Sequence, residues 1–271
     1  MLRHLILACI FVLSSFSTAF AQVKARWIVD DKEALQSRVD IIEQAQKEIL
    51  VEYFYVSEDD QSMGGIALVL QAARKGVRVK IILDAIFASL PRSLYAALFE
   101  MAKDAEGRKN IEIKVYNPIS LNIFKMDQRD HAKMIIVDGD VLMTGGRNLG
   151  DSYFGINKKR NFHDLDILVQ GSLARDAREN FLSVWNSDLV KDPQLYEFSV
   201  ENLDPVSCAH KEDMTSCQIR QEYAVKQVKL QQANLRRVLE DIVTNDQGDD
   251  IVRSETQKQW LANAPTIKEV K

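Results

Sequence analysis

The segment from His131 to Asn148 constrains the local fold more tightly than any other part of the chain. The run from His131 to Val137 is apolar enough to form a buried strand. Gly139 and Asp140 suit a two-residue hairpin turn, and the residues from Val141 to Thr144 suit the returning strand. The sequence therefore predicts an antiparallel hairpin whose turn lies at Gly139 and Asp140.

Strand alternation places His131 and Lys133 on one face of this hairpin, about 7 Å apart along the backbone. The predicted turn sets Gly146 opposite Lys133 and Asn148 opposite His131. Gly145 and Gly146 remove side chains where a bulky anion would approach the backbone. The imidazole can attack phosphorus while the ammonium and the amide bind nonbridging oxygens, so this face suits a phosphate diester. Such chemistry needs no metal and no other cofactor.

Three aspartates around the hairpin are candidates for holding the imidazole in a reactive tautomer. Asp164, just before the next strand, is the first candidate, Asp166 is the second and Asp151 is the third. Asp138 faces away from His131 by the same alternation. We therefore expect Asp138 to have a structural role at the turn.

Helices alternate with strands along most of the chain, which is typical of an α/β fold with a layered sheet. Asp30 and Asp31 can cap the first helix. Helices are predicted over residues 32–46, 63–74, 93–105 and 172–190, and strands over residues 49–56, 77–83, 111–116 and 165–169.

The first 21 residues have the pattern of a secretory signal peptide. Arg3 and His4 provide the positive charge, the residues from Leu5 to Phe16 are mostly apolar, and the residues from Ala19 to Ala21 form a small-x-small cleavage site. We therefore expect residues 22–200 to form the main domain of an exported protein, periplasmic or peripheral to a membrane in a bacterium.

Beyond Pro193 the composition becomes polar, and residues 201–271 are predicted to form a helical extension or linker. A long helix in this region has apolar residues at helical spacing, which indicates packing on its own domain or between two halves. These residues are Ala224, Val228, Leu235, Val238 and Ile242.

Cys208 and Cys217 are the two cysteines that remain after the signal peptide. In an oxidising compartment they are expected to form a local disulfide. A metal site with His210 is the alternative, but its spacing matches no strong zinc signature. No metal site is predicted.

The net charge of -4 and the pI near 5.7 give the chain no excess of positive charge. This composition weighs against a partner that is nucleic acid. The basic run from Lys158 to Arg160 and the basic residues Arg74, Lys75, Arg78 and Lys80 are the features that favour one.

The residues from His131 to Asn148 resemble the HxKxxxxDxxxxxxG[GS]xN signature of the phospholipase D superfamily at every fixed position. The continuation to Gly155, and the upstream segments 53–56 and 76–79, resemble the first half of bacterial cardiolipin synthase-like members. The resemblance implies a phospholipase D-like layered fold, a mixed sheet flanked by helices. It also implies phosphodiester transfer on phospholipids through a phosphohistidine, with Lys133 and Asn148 binding phosphate. His131 is then nucleophile or general acid, and Asp164 occupies the position of the orienting acid.

Members of this superfamily need two such motifs facing each other, and this chain has one. The second half-site would come from a second copy of the chain or from a missing C-terminal half, and the residues from Trp260 to Lys271 resemble the lead-in to a second half. The expected activity is therefore that of a phospholipase D or a phosphatidyltransferase at a membrane surface. The alternatives are a homodimeric nuclease, an inactive truncated half-enzyme or a binding remnant.

Overall fold

The computed structural model describes residues 23–88, 90–102, 107–118, 127–193, 214–245 and 266–267. Within these ranges, nine strands form one mixed sheet in the order β8-β4-β3-β2-β5-β6-β7-β1-β9. The strands are β1 (Val23–Ile28), β2 (Glu48–Tyr53), β3 (Arg78–Asp84), β4 (Ile111–Tyr116), β5 (Lys133–Val137), β6 (Val141–Gly145), β7 (Asp166–Gln170), β8 (Val190–Lys191) and β9 (Thr266–Ile267). The helices are α1 (Asp31–Glu43), α2 (Asp60–Arg74), α3 (Arg92–Met101), α4 (Ser172–Trp185) and α5 (Met214–Asn245), with a 3-10 turn at Asp151–Tyr153. The expected α/β fold with a mixed sheet is confirmed.

Local sequence explains where the helices begin and end. The Asp30 side chain caps α1 by accepting a hydrogen bond from the amide of Glu33 at 2.9 Å. Asp59 caps α2 through the amide of Ser62 at 3.1 Å. Gly76, directly after the cap of α2, adopts a φ of 93°, which a glycine tolerates without strain. The predicted end of this helix at residue 74 is therefore confirmed.

Strands β2, β3 and β4 run parallel, whereas β5, β6, β7 and β1 continue the sheet in antiparallel fashion. Helices α1, α2 and α3 cover one face of the sheet, and α4 covers the other face through Ala174, Phe181 and Trp185. Strand β1 was not predicted. It pairs with β7 on one side and with the two-residue strand β9 on the other, so it lies near one edge of the sheet, and Lys24 and Arg26 interrupt its apolar residues.

Helix α5 packs on α2 and α3 rather than standing apart from the sheet. Its buried residues join the same core cluster as those two helices, and Leu235 is completely buried. Val238 packs against this cluster. Where its side chains are described, from residue 222 to residue 239, the predicted apolar stripe therefore faces the domain.

Some predictions fall outside the described residues. The signal peptide over residues 1–21 is one, and the disulfide between Cys208 and Cys217 is another, because Cys208 and the side chain of Cys217 lie outside them. The same holds for the lead-in that begins at Trp260. Among the described helices, none combines the length and the hydrophobicity needed to cross a bilayer.

Candidate active site

The hairpin between β5 and β6 forms with a register that differs by one residue from the predicted one. Met134 pairs with Thr144 and Val137 pairs with Val141, so the turn contains three residues, Asp138 to Asp140. Asp138 and Gly139 both have positive φ, 52° and 71°. The prediction of a two-residue turn at Gly139 and Asp140 is wrong, and with it the pairs Lys133–Gly146 and His131–Asn148.

Asp138 is held in its unusual conformation by backbone donors on the loop before β2. Its carboxylate accepts hydrogen bonds from the amides of Gln46, Lys47 and Glu48 at 2.9, 2.7 and 3.0 Å. Three hydrogen bonds to a charged acceptor offset the cost of a left-handed residue that is not glycine. Asp138 thus connects the turn to the start of β2. His131 lies at the opposite end of β5.

His131 and Lys133 lie in direct contact at the other end of β5. The Lys133 Nζ atom is 3.2 Å from His131 Nδ1 and donates a hydrogen bond of 2.9 Å to the His131 carbonyl oxygen. The His131 ring is exposed and lies against Phe54, with ring centroids 4.6 Å apart. Lys133 is buried and also lies over the Phe54 ring, at 5.1 Å from its centroid. The Phe54 ring therefore provides an apolar contact surface for both side chains. The sequence alone did not identify this role of Phe54.

Burial lowers the pKa of Lys133, while the charges of Asp130 and Asp164 act in the opposite direction. A lysine ammonium can only donate hydrogen bonds. Its contact with Nδ1 therefore favours the His131 tautomer in which Nδ1 accepts and Nε2 carries the hydrogen.

Asn148 reaches the site by a route other than the hairpin ladder. In the observed register, continued pairing would turn Asn148 to the face opposite His131. Instead the chain leaves β6 at Gly145 and runs beside the end of β2, where Leu149 donates to the Tyr55 carbonyl oxygen at 3.2 Å. The Asn148 Oδ1 atom accepts from the Tyr55 amide at 3.2 Å, and its Nδ2 donates to the Tyr153 hydroxyl at 2.9 Å.

The end of β2 is thus the point around which the motif assembles. On one side, Phe54 donates a backbone hydrogen bond to the carbonyl oxygen of Ala132, next to His131. On the other side, the next residue, Tyr55, holds Asn148. One Nδ2 hydrogen of Asn148 is used by Tyr153, which leaves the second for a ligand.

Other protein atoms lie where side chains on Gly145 and Gly146 would begin. A Cβ atom on Gly145 would lie 2.4 Å from the Leu165 carbonyl oxygen, and one on Gly146 would lie 2.3 Å from Asp164 Oδ1. The expectation that the pair leaves space for an anion is therefore corrected. The glycines allow β7 and Asp164 to approach the motif closely.

The three acidic candidates have different surroundings. Asp164 is half-buried, lies against Gly146 and acts electrostatically on Lys133, and no hydrogen bond joins it to His131 among the described residues. Asp166 is fully buried and binds two arginines, Arg38 at 2.9 Å and Arg147 at 3.1 Å. Asp151 lies near Asp59 and accepts from the amide of Gln61 at 3.3 Å. The second and third candidates are thus engaged away from His131, and Asp164 remains the candidate next to Lys133.

Arg147, which occupies the variable position of the motif, was missed by sequence reasoning. It is completely buried and donates to the carbonyl oxygens of Val29 and Tyr153 as well as to Asp31 and Asp166. The sequence did offer one indication of its role, namely the position of a charged residue between Gly146 and Asn148. Its guanidinium fixes the segment that carries Asn148 to the core.

Within the described residues, no group of three His, Cys, Asp or Glu side chains has an arrangement suited to a metal ion. The groups that the motif places around the end of β2 are an imidazole and an ammonium in contact with each other, and an amide held by Tyr55. This set can act on a phosphate diester through nucleophilic attack, proton transfer and hydrogen bonding to oxygens.

Comparison with known proteins agrees with this chemistry. Residues 39–185, more than half of the chain, match the family model described as "Cardiolipin synthase, PLD-like domain". The chain is 28% identical over 163 residues to cardiolipin synthase C of Escherichia coli K12, which covers 56% of this chain and 33% of that protein. It is 29% identical over 161 residues to a cardiolipin synthase of Geobacillus kaustophilus, covering 58% of this chain and 31% of that one.

Among solved structures, phosphatidylserine synthase of Haemophilus influenzae Rd KW20 superposes with a TM-score of 0.52 at 14% identity, covering 83% of this chain and 46% of that one. This likeness concerns the fold alone. The matched part of the chain spans about a third of the length of the cardiolipin synthases it resembles. On the match of the family model over residues 39–185, the chain belongs to the phospholipase D-like family of cardiolipin synthase domains.

Proposed function

We propose that this chain provides a half-site for phosphodiester transfer on phospholipids, with a phosphohistidine as the intermediate. The observation that carries the proposal is the contact between His131 and Lys133 near the end of β2, where Tyr55 also holds Asn148, in a domain of this family. The names of the relatives, which are cardiolipin synthases, support a phospholipid as the substrate.

In the proposed reaction a bond forms between His131 Nε2 and phosphorus, and the bond from phosphorus to the leaving alcohol breaks. A histidine of the second half-site gives a proton to the leaving oxygen, and then takes one from the alcohol or water that attacks the phosphohistidine. Lys133 and the free Nδ2 hydrogen of Asn148 bind the nonbridging oxygens and stabilise their growing charge. Asp164 positions the imidazole.

The contact of the Lys133 ammonium with Nδ1 favours the tautomer with hydrogen on Nε2, in which Nε2 has no lone pair to attack phosphorus. For nucleophilic attack the Lys133 ammonium has to turn from Nδ1 to the phosphate, and Nδ1 has to carry the hydrogen. Asp164, which already acts electrostatically on Lys133, is the proposed acceptor for that hydrogen.

The proposal includes export by the signal peptide and action at a membrane surface in the periplasm. A second half-site comes from a second copy of the chain or from a further segment that carries another motif.

A nuclease is the second candidate, favoured by an exposed basic run next to the motif. Lys158, Lys159 and Arg160 are exposed on a turn that Asn157 and Asn161 close with reciprocal hydrogen bonds. Arg160 lies over Phe162, which stacks on Tyr153, the hydroxyl partner of Asn148. Such a row of a cation and aromatic rings suits a nucleic-acid strand as well as an anionic headgroup.

The test is incubation of the protein with labelled phospholipid vesicles and, separately, with labelled single-stranded DNA. We expect turnover of the lipid and an adduct at His131 in the quenched protein by mass spectrometry. His131→Ala should lower the rate by on the order of 10³-fold or more, whereas His163→Ala, which changes an exposed histidine, should not. Cleavage of DNA alone would refute the lipid substrate, and lipid turnover that survives His131→Ala would refute the mechanism.

A further inference from the structure

Glu52 is a carboxyl group inside the sheet, close to the motif but outside it. It lies on β2, it is 2% exposed, and its sheet neighbours are Ile82 on β3 and Met134 on β5. Its Oε2 atom is buried and has no hydrogen-bond partner among the described residues. An ionised carboxylate is strongly disfavoured at such a position.

The partner of Glu52 is Asp130, the residue that directly precedes His131. Asp130 Oδ2, like Glu52 Oε2, is buried without a hydrogen-bond partner among the described residues, and burial raises the pKa of Glu52 to about 9 with a further contribution from the adjacent Asp130 carboxyl group. Two carboxyl groups can share a hydrogen bond only when one of them carries the proton. Asp130 Oδ1 accepts from the amide of Ala132 at 2.9 Å, and Lys133 acts on Asp130 electrostatically. Asp130 already serves as an acceptor in the first of these interactions, so Glu52, whose pKa is raised, is the donor of the pair.

The other ionisable groups around the pair do not supply this proton. Asp84, at the end of β3, accepts from the amides of Ile86 and Phe87 and lies 3.5 Å from Arg129. Tyr116, at the end of β4, has its pKa raised by burial and by Asp130, so it stays neutral. The described charges around the pair are Asp84, Arg129 and Lys133, and His131 is the next titratable group along the chain.

The segment that carries His131 is held at several points. Ala132 accepts a backbone hydrogen bond from Phe54 at 2.9 Å, and the Asp130 amide donates to Asp84 Oδ2 at 3.4 Å. The Asp130 side chain adds a further point, next to Glu52 inside the sheet.

We propose that Glu52 is a positioning residue for His131: as a neutral carboxylic acid it donates a hydrogen bond to the Asp130 carboxylate, and this bond fixes the segment that carries the imidazole. The inference rests on the proposed function for its effect on turnover, but the protonation of Glu52 does not. When Glu52 ionises at alkaline pH, two carboxylates repel each other beside His131 and the rate falls. A glutamine at position 52 is neutral at every pH, and its amide donates the same hydrogen bond.

The first measurement needs no turnover. Infrared spectra at pH 7 should show the carbonyl stretch of a protonated carboxylic acid in the wild type, and Glu52→Gln should lack it. The control Glu179→Gln, which removes an exposed glutamate on α4, should keep it. If the band is absent from the wild type, Glu52 is ionised and the inference is overturned, whatever the enzyme activity.

Thermal unfolding against pH gives the second measurement. Folded Glu52 keeps its proton up to a pH of about 9, whereas the unfolded chain loses it near about 4.3. The unfolded state therefore binds fewer protons in this window, and the wild type loses stability as the pH rises through it. Glu52→Gln should not share this loss. The amount by which its Tm exceeds that of the wild type should therefore be larger at pH 9 than at pH 5, by about 5 °C or more. An equal Tm difference at both values of pH would contradict the inference.

Turnover on phospholipid vesicles separates positioning from a merely structural role. Glu52→Gln should have the wild-type rate at pH 7. The rate of the wild type should fall at alkaline pH as Glu52 ionises, and the rate of Glu52→Gln should not show this fall. Glu52→Leu, which removes the donor, should lose about 10²-fold at all pH values. An unchanged alkaline fall in Glu52→Gln, or full activity in Glu52→Leu, would overturn the positioning role. Absence of turnover in every variant, with the infrared band present, would count against the proposed function alone.

Discussion

Asp164 and Asp166 are two residues apart, yet their surroundings give them different tasks. Asp166 is the shared counter-charge of two buried guanidinium groups, those of Arg38 and Arg147. Asp164 is half-buried, and in the described residues its electrostatic effect falls on Lys133. Sequence position alone ranks both as candidates to orient His131, and burial separates them.

This difference predicts opposite outcomes for two matched substitutions. Asp166→Asn leaves the buried Arg38 without its carboxylate partner and Arg147 with Asp31 alone, and should lower the free energy of unfolding by about 3–5 kcal/mol. Asp164→Asn should change it by less than about 1 kcal/mol but lower the rate of phospholipid turnover by about 10²-fold or more. Urea unfolding and vesicle assays on both proteins check this. Equal losses of stability would show that Asp164 is structural, and an active Asp164→Asn would remove it from the mechanism.

The elements of the fold could be predicted largely from periodicity and caps, while the pairing that builds the site could not. The helix α2 ends where Gly76 permits a positive φ, and Asp30 caps α1 as expected. The predicted register of the hairpin was wrong because the carboxylate of Asp138 binds amides some 90 residues earlier in the chain. This contact favours the three-residue turn. Long-range hydrogen bonds of this kind leave no local pattern in the sequence.

The turn of the hairpin should therefore depend on Asp138 rather than on its neighbour Asp140. Asp138→Ala removes the acceptor of three backbone amides and should cost about 2 kcal/mol. Asp140→Ala removes a partly exposed ion pair with Arg175 and should cost less than about 1 kcal/mol. Urea unfolding of the two variants measures the difference. Equal midpoints would mean that the contacts of Asp138 with the start of β2 contribute no net stability.

At the scale of the whole molecule, the motif was recognisable from its spacing, but the way its parts meet depends on the sheet. His131 and Asn148 lie on opposite sides of the end of β2, a strand more than 70 residues earlier in the chain. The buried pair of Glu52 and Asp130 and the guanidinium of Arg147 were missed for the same reason, since each binds groups that are distant in sequence. The described chain therefore assembles one such motif, and under the proposed function the other face of the site comes from a second motif.

If two copies of the chain supply the two faces, activity has to depend on their association. Specific activity should then rise with protein concentration, and gel filtration with crosslinking should detect a dimer over the same range. An excess of His131→Ala should suppress the wild type, because each mixed dimer contains a single reactive histidine and the two steps need two. An equal excess of His163→Ala should not suppress it, since that variant keeps the motif. A monomer whose activity per mole is constant, and which His131→Ala does not inhibit, would exclude the homodimer as the source of the second half-site.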